Sequence, residues 1–417
     1  MIDAYRFYIT ARVFYAICWT TIVTLNLVYM VEVAGLDPLQ MVLVGTVLEL
    51  SVFLFEIPTG VVADVVSRKL SVVVGHAMMG VGFLVLALWP TFTVILLSQV
   101  IWGVGYTFIS GAYPAWLSAE VGVERANQGF LRGSQLAHGG AFVGIAIAVG
   151  LGHASLQLPI AVGSVGLMVL AGGMGLFMPE TTFQPTATRD TWSAMRRTFS
   201  DGVHEIRRRT LLVLMLVITA MFGAFSEGID RLFTPFLIER FEFPALGGLQ
   251  SVTWWGLIAA VAHLVGFVTT TVARRYVRLD NQRVLTWVLA SLMFGIGVSA
   301  VAVANVDGFL TVLACFWLLG GLRSAYGPLQ TAWLNRLIPE QSKATLFSMF
   351  GQSDAIGQVA GGPIIGAVAK TVSIAFALGA SALLLLPSVD LYRRALKAVK
   401  GEASDDLPEV DRSGWRP

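Results

Sequence analysis

Residues 60–89 read GVVADVVSRKLSVVVGHAMMGVGFLVLALW, and this stretch decides the fold class. Its second part, Ser71–Trp89, is an uninterrupted run without Asp, Glu, Lys or Arg. A helix needs about 20 such residues to cross the hydrocarbon core of a bilayer. The run does not alternate between polar and apolar residues, as a strand of a membrane β-barrel would. We therefore expect a membrane-spanning helix, preceded by a short charged loop.

The composition of the whole chain extends this interpretation. The 417 residues are 56% hydrophobic and 13% charged, against a usual charged fraction of ~25%. A soluble protein of this length needs more charge to cover its surface. The 28 Lys and Arg nearly balance the 26 Asp and Glu, so we expect no nucleic-acid partner. The sequence predicts a multi-pass, all-α membrane protein.

Twelve apolar segments have the length of a span, and we number them in chain order. They lie near 11–32, 39–63, 70–89, 92–119, 130–152, 157–178, 211–238, 250–273, 284–304, 309–335, 346–369 and 372–391. With this topology, 24 of the 28 Lys and Arg residues share one side, Arg240 and Lys370 lie on the other, and Arg231 and Arg323 lie inside spans. Because Lys and Arg accumulate on the cytoplasmic side, both termini are predicted to be cytoplasmic.

The longest polar stretch separates six spans from six. We expect an N-terminal bundle over 1–178, a cytoplasmic linker over 179–210, a C-terminal bundle over 211–392, and a disordered tail over 393–417. Residues Trp192–Arg209 combine basic residues with a few apolar ones. They are interpreted as an amphipathic helix at the membrane surface, with a solvated linker helix as the alternative.

The two halves also repeat one another at an offset of 217 residues. The matching positions are Gly103 and Gly320, 115–117 and 332–334 (both Ala-Trp-Leu), Gln135 and Gln352, Gly140 and Gly357, and Gly144 and Gly361. Duplicated six-helix units are typical of secondary transporters, although glycines at four-residue spacing also allow plain close packing of helices.

At the loop between spans 2 and 3 the sequence resembles the major facilitator superfamily. That family's signature, Gly-x-x-x-Asp-Arg/Lys-x-Gly-Arg-Arg/Lys, is matched at Gly60, Asp64, Arg68 and Lys69. The resemblance implies two pivoting six-helix bundles. It also implies a gating latch, in which Asp64 meets the start of span 11 and Arg68 meets an acid at the inner end of span 4, here Glu120.

Within that family the chain is most similar to twelve-span drug/proton antiporters, with two departures. Gln99, rather than Arg, precedes Gly103-Val-Gly105 in span 4. Span 5 lacks the proline of the family's Gly-rich motif, whereas span 11 keeps Pro363 in the related run that begins at Gly357.

Ionisable residues within spans are costly, so each is a functional candidate. Glu49 and Glu56 lie two turns apart on one face of span 2, and Asp354 lies in span 11 at the depth of Glu56. Since the family fold places these spans side by side, Glu56 and Asp354 are candidates to share a proton. The alternative is that each acid is simply hydrogen-bonded to Ser or Thr, or that Glu56 caps backbone groups freed by Pro58.

Span 7 carries Glu227 and Arg231, which are i,i+4 neighbours and can neutralise each other. Asp230 is then left over as a further proton-coupling candidate. Arg323, in the middle of span 10, has no acid within its own helix. It needs a partner across the cavity or an anionic group of a substrate.

An aromatic cavity for flat amphipathic molecules is also expected, with ordinary core packing as the alternative for each ring. The aromatic candidates for this cavity are Trp102, Tyr106, Trp254, Trp255, Trp317 and Tyr326. The polar and charged candidates are Asn26, Glu227, Arg231 and Arg323. The five histidines are too dispersed for a metal motif, so no metal site is expected.

None of the five lysines follows a glycine, so the phosphate-binding Gly-Lys loop of ATPases is absent. We expect no cofactor and no enzymatic activity. The sequence predicts a monomeric, proton-coupled exporter of amphipathic or lipophilic small molecules in the lipid bilayer of a bacterial inner membrane. The alternatives are an uptake symporter or facilitator of a small metabolite and, more remotely, a flippase-like or receptor protein.

Overall fold

The computed structural model describes residues 3–184, 204, 206–207, 209–244, 250–277, 281–338 and 343–405. Within these ranges the regular structure is helical and forms the twelve predicted spans. Their bounds are Ala4–Glu32, Pro38–Val65, Arg68–Leu88, Phe92–Ser110 continued by Ala112–Val121, Val123–Gly152, Gln157–Phe177, Thr210–Arg240, Ser251–Tyr276, Gln282–Asn305, Phe309–Leu337, Lys343–Thr371, and Ile374–Leu383 continued by Leu386–Asp405. The prediction of an all-α membrane protein with twelve spans is confirmed.

Hydropathy alone identifies eleven of these spans as apolar enough to cross a membrane, among the described residues. The exception is span 11, Lys343–Thr371, which is long enough but carries Asp354 and Lys370 together with two glutamines, Gln352 and Gln358. Polar side chains are tolerated in a span where they face a bundle interior or a watery cavity. Span 11 therefore lies where its polar residues avoid lipid.

The first three helices begin at residues suited to capping. Asp37 and Gln40 form a reciprocal capping box at the start of span 2, followed by Pro38 at the first helical position. Ser67 accepts a hydrogen bond from the Leu70 amide at the start of span 3. Such side chains satisfy amide groups that the first helical turn leaves unpaired. The capping residue Ser67 thus marks in the sequence where span 3 begins.

Each half is held together by the same close helix contact. In the N-terminal half, Gly140 and Gly144 of span 5 lie against the backbone of span 1 at Val13 and Ile17. In the C-terminal half, Gly357 and Gly361 of span 11 lie against the backbone of span 7 at Ala220 and Ala224. A side chain at these glycines would collide with the partner helix. The glycines that match in the sequence repeat thus make equivalent contacts.

The helix order places the first and last described residues, 3 and 405, and both described ends of the linker at one end of the bundle. We call this end the linker face and the other end the opposite face. The two halves join towards the opposite face. Asp37 there forms an ion pair with Lys370, Oδ2 to Nζ 2.8 Å. His153 hydrogen-bonds Gln250 at 2.8 Å, and Gly366 packs on Leu39.

Two predictions about the polar segments have different outcomes. The predicted amphipathic helix at 192–209 lies almost entirely outside the described residues. The tail, predicted to be disordered from residue 393, instead continues the last helix as far as Asp405. An ion pair one turn apart, Arg394 to Asp390 at 2.8 Å, helps a charged segment remain helical.

Candidate functional site

A cavity of about 610 Å³ lies in the C-terminal half between the middle of the bundle and the linker face. Its wall comes from spans 7, 10 and 11. The lining residues are Thr219, Phe222, Gly320, Arg323, Ser324, Tyr326, Gly327, Gln330, Thr331, Leu334, Phe347, Phe350, Gly351 and Asp354. This wall combines charged, hydroxyl and aromatic groups, which suits a ligand with both polar and apolar parts.

Arg323 and Asp230, the two charges left without a helical neighbour in the sequence, pair with each other. Both guanidinium nitrogens donate to the two carboxylate oxygens, at 2.6 and 2.7 Å. Such a two-pronged contact is the strongest form of this interaction. The Asp230 side chain remains 50% exposed, which in the middle of a span indicates a watery cavity. Of the two possibilities raised for Arg323, a protein partner or an anionic substrate group, the structure contains a protein partner on another helix, Asp230.

Asp354 lines the same cavity from span 11. The Gln358 side chain, one turn away, donates to its Oδ2 at 2.9 Å. Arg323 and Asp230 act on it electrostatically. With all three groups ionised, two carboxylates face one guanidinium, so this side of the cavity carries one negative charge in excess.

A second charge cluster lies at the junction of the two halves. Arg231 donates to the Glu227 carboxylate at 3.1 Å, and Glu227 is 2% exposed, which confirms the predicted i,i+4 pair. This pair packs directly on Gly45 of span 2, where any side chain would overlap it. Glu49, one turn from Gly45, lies in the electrostatic field of Glu227, Arg231 and Asp354.

The structure corrects which acid of span 2 faces span 11. Glu56, the predicted partner of Asp354, instead accepts a hydrogen bond from Ser110 of span 4 at 2.9 Å. Its other oxygen is buried without a partner among the described residues. Glu49, two turns closer to the opposite face, is the acid that senses Asp354. The two halves diverge towards the linker face. Glu56, the acid of span 2 nearer that face, therefore contacts its own half.

Most predicted cavity tryptophans pack inside a half instead. The Trp102 indole donates to the Gln99 side chain at 2.8 Å. The Trp254 indole donates to the Pro244 carbonyl at 2.9 Å, and the Trp317 indole donates to the Ile258 carbonyl at 3.1 Å. Trp255 is 5% exposed. Ring packing and buried N–H groups explain these positions without a ligand.

Two tyrosines and one asparagine complete the predicted set. Tyr326 borders the cavity, but its hydroxyl is buried against that of Tyr392 at 2.8 Å. Tyr106 of span 4 is 44% exposed and feels Glu49 and Glu56 electrostatically. The Asn26 side-chain oxygen is buried without a partner among the described residues. Tyr106 is thus the predicted aromatic residue with the most accessible ring.

The predicted latch has a different arrangement in this conformation. Arg68, the first residue of span 3, lies 3.6 Å from Asp64 in the last turn of span 2 and 3.4 Å from the Ala115 carbonyl. Glu120 accepts four hydrogen bonds from the amides and hydroxyls of Thr181 and Thr182. Glu120 therefore anchors the start of the linker rather than Arg68. The start of span 11, expected to meet Asp64, borders residues 339–342, which lie outside the described ranges.

One charged residue lies deeper in its helix than the sequence indicates. Arg12 was expected at the very start of span 1, near residue 11, but that helix begins at Ala4. Arg12 therefore lies about 12 Å inside it, given the helical rise of ~1.5 Å per residue. Its guanidinium lies 5.5 Å from the centre of the Tyr15 ring. An apolar pattern that begins at residue 11 hides the earlier helix start.

Comparisons with known proteins agree with this architecture. The family model of the Major Facilitator Superfamily matches residues 8–361. A relative described as the uncharacterized MFS-type transporter YxaM of Bacillus subtilis is 24% identical over 373 residues, covering 85% of this chain and 87% of that protein.

Three solved structures share the fold at low identity. The nucleoside transporter NupG has a TM-score of 0.76 and 13% identity, and the match covers 96% of this chain and 100% of that chain. A bacterial homologue of the human lysosomal transporter Spinster, in an inward-facing and unoccupied conformation, has a TM-score of 0.74 and 12% identity, with 96% of this chain and 99% of that chain covered. The peptide transporter POT in complex with sulfate has a TM-score of 0.71 and 15% identity, with 95% of each chain covered. With the family model matching most of its length, the chain belongs to the major facilitator superfamily and is a multi-pass membrane transporter.

Proposed function

We propose that this transporter exports amphipathic or lipophilic small molecules by alternating access, driven by a proton gradient. In this proposal the linker face is cytoplasmic, because it carries most of the Lys and Arg residues, and the membrane is a bacterial inner membrane. The protein works as a monomer, since each chain supplies both halves and the cavity.

One observation carries the proposal: the halves are joined towards the opposite face while the cavity lies towards the linker face. The Asp37–Lys370 pair, the contact of His153 with Gln250, and the Gly366 contact all lie on the joined side. With a cytoplasmic linker face, this is the conformation in which an exporter loads its cargo.

Proton coupling is supported by the balance of charge in the spans. Glu49, Glu227 and Arg231 carry one net negative charge when all are ionised, and the cluster bridges the two halves. Embedding that charge in a closed, apolar junction is costly, so a proton favours closure and its release favours separation. Asp230, Asp354 and Glu56 are further candidates, of which Glu56 is held by Ser110.

The loop between spans 2 and 3 is proposed as the latch of the outward-open state. Gly60, Asp64 and Arg68 lie at the linker face, where the halves must meet when the opposite face opens. Exchanging the charges of Asp64 and Arg68 should lower the accessibility of the opposite face relative to the wild type, most clearly at the higher pH at which proton release favours its opening. Unaltered labelling of introduced cysteines would count against the latch.

The test of export is transport by purified protein in proteoliposomes. A panel of fluorescent amphipathic dyes is offered with an imposed pH gradient, and dye and proton fluxes are both measured. Opposite directions of dye and proton movement support export by antiport. Glu49→Gln should abolish the dependence on the pH gradient, and unchanged dependence would remove Glu49 from coupling.

Uptake of a small metabolite by symport is a second candidate, favoured by the polar part of the cavity wall. Thr219 and Gln330 hydrogen-bond each other at 3.1 Å, and Ser324 and Thr331 lie nearby. Such groups suit a hydrophilic compound. Proton and cargo moving in the same direction in the liposome experiment would favour this alternative.

A further inference from the structure

The first four residues of the linker, 179–182, are bonded to the linker-face ends of spans 3 and 4, and we call them the strap. At span 3, the Glu180 carboxylate accepts from the Ser67 hydroxyl at 2.6 Å and from the Lys69 amide at 2.8 Å. An acid is favourable at this place, because the first amides of a helix carry partial positive charge. One end of the linker is therefore fixed to the loop that carries the proposed latch.

The rest of the strap is bonded to the end of span 4. The Trp116 indole donates to the Pro179 carbonyl at 2.6 Å. The amide and the hydroxyl of Thr181 each donate to the Glu120 carboxylate at 2.7 Å, and those of Thr182 donate to it at 3.0 and 2.9 Å. A carboxylate has about four acceptor positions. The strap thus takes up most of the hydrogen-bonding capacity of Glu120.

Arg68, by contrast, is poorly bonded in this conformation. Its contacts with Asp64 at 3.6 Å and with the Ala115 carbonyl at 3.4 Å are both long. Its Nε atom is buried without a hydrogen-bond partner among the described residues. A buried donor of a charged group costs free energy when it is left unpaired. Arg68 would therefore gain from a carboxylate partner that its present contacts do not supply.

Glu120 lies in the same small region of the linker face as Arg68. In the sequence, Arg68 stands between the two residues that bond Glu180. The next residue of the strap, Thr181, bonds Glu120, and adjacent Cα atoms are about 3.8 Å apart. Arg68 also contacts Ala115 in the helix that carries Glu120, five residues or about 7.5 Å earlier. The strap therefore lies beside the guanidinium and holds the carboxylate that could pair with it.

We propose that the strap controls the latch by withholding Glu120 from Arg68. While the strap holds Glu120, Arg68 lies beside Asp64 and neutralises it within its own half. When the strap releases Glu120, Arg68 pairs with it, and Asp64 is free to meet the positive end of span 11 in the other half. The linker face then closes and the opposite face opens. The proposal rests on the proposed function, since it names the regulation of the same latch.

The test weakens the strap without changing its shape or charge. Thr181→Val combined with Thr182→Val removes two of the four donors to Glu120. Spin labels at Val33 and Val372 then report the ratio of the open to the closed opposite face, at a mildly alkaline pH that favours opening. The double substitution should raise this ratio about fivefold, as expected for the loss of roughly one net hydrogen bond. An unchanged ratio would overturn the proposal.

A matched control and a smaller variant accompany this measurement. Thr10→Val also removes a threonine hydroxyl near the linker face, but that hydroxyl donates to the Arg6 carbonyl within its own helix. The ratio should remain within about 1.5-fold of the wild type. Thr181→Val alone should raise the ratio about twofold and replaces the double substitution if the latter does not fold. An equal response to Thr10→Val would contradict a specific role of the strap.

Arg68→Gln distinguishes control of the latch from a contact that merely stabilises the present conformation. If the strap acts through Arg68, the double substitution should change the ratio less than about 1.5-fold in the Arg68→Gln background, because residues that act through one another are not additive. A fivefold increase that persists there would overturn the proposal. Arg68→Gln alone should lower the ratio. No effect of Arg68→Gln would reject the latch itself, whereas a lowered ratio with no response to the threonine substitutions would reject the strap alone.

Discussion

The two halves share their helix packing but differ in where they hold charge. Span 5 meets span 1, and span 11 meets span 7, through glycines at matching positions. The C-terminal half carries an ion pair between spans 7 and 10, Asp230 with Arg323. The N-terminal half has Arg12 of span 1 on an aromatic ring.

The difference indicates a division of labour. Contacts that both halves retain are the ones that build a six-helix bundle, because they satisfy packing. Charges that occur in only one half are not needed to build a six-helix bundle, and each of them costs free energy within the membrane. We therefore attribute coupling and cargo recognition to the asymmetric charges and stability to the repeated glycines.

The largest expected effect comes from breaking the pair that exists only in the C-terminal half. Arg323→Ala leaves Asp230 without its partner and should destabilise the protein by about 2 kcal/mol, at the low end for truncated ion pairs because Asp230 is half exposed. Transport should fall at least about tenfold. Thermal unfolding and dye flux measure the two effects.

A matched control comes from an exposed pair in the last helix. Arg394→Ala also removes an arginine from an ion pair, but both side chains of that pair are largely exposed. Surface pairs contribute little, so stability and transport should remain close to wild type. Equal losses in Arg323→Ala and Arg394→Ala would contradict the special role of the cavity pair.

Valine substitutions at the repeated glycines test the helix contacts that both halves share. Gly140→Val and Gly357→Val each place a side chain against the backbone of the partner helix, and overpacking costs roughly 1–3 kcal/mol. Gly357→Val should be worse, because its Cβ would overlap the Ala220 carbonyl oxygen. Gly139→Val, adjacent to Gly140 but with no atom within 4 Å, should be tolerated. Thermal unfolding that ranks Gly139→Val with the other two would reject the packing role.

The smallest effect is expected at the ion pair that joins the halves. Partial burial works to raise the pKa of Asp37, but the bonds from Lys370 and the Gln40 amide outweigh it and hold that pKa below its ordinary value. The pair therefore stabilises the joined state above the ordinary pKa of an aspartate, and this contribution disappears as the pH falls through the lowered pKa. Since Lys370 is half exposed, the effect should stay below about 1 kcal/mol.

Spin labels at Val33 and Val372, near the opposite face, measure this effect as a distance between the halves. Asp37→Asn should shift the population modestly towards separation at neutral pH and behave as wild type in strong acid. A difference between variant and wild type that persists in strong acid would contradict the role of this carboxylate.

The sequence was sufficient for the architecture because its determinants are local or periodic. Apolar runs predict the spans, and the matching glycines predict the duplicated contacts. The i,i+4 spacing predicts the Glu227–Arg231 pair, confirmed at 3.1 Å. Each of these features depends on distance along the chain, which a sequence states directly.

The candidate site was predicted less well because its pairs come from distant segments. Asp230 and Arg323 are 93 residues apart in the sequence. The sequence could therefore identify two charges without a helical neighbour, but not that they form an ion pair with each other. The choice of Glu56 over Glu49 failed because it depends on how far the halves diverge. The depth of Arg12 within its helix was missed because an apolar window does not reveal a helix that starts with polar residues.

The most direct test of the account follows two distances between the halves while protons are added. One pair of spin labels, at Val66 and Tyr276, reports the linker face, and the pair at Val33 and Val372 reports the opposite face, in a background with both cysteines replaced by serine. Lowering the pH from neutral to mildly acidic should change the two distances reciprocally, and Glu49→Gln should remove this response. Distances that stay constant, or that change in parallel, or a response that survives Glu49→Gln, would contradict proton-controlled alternating access.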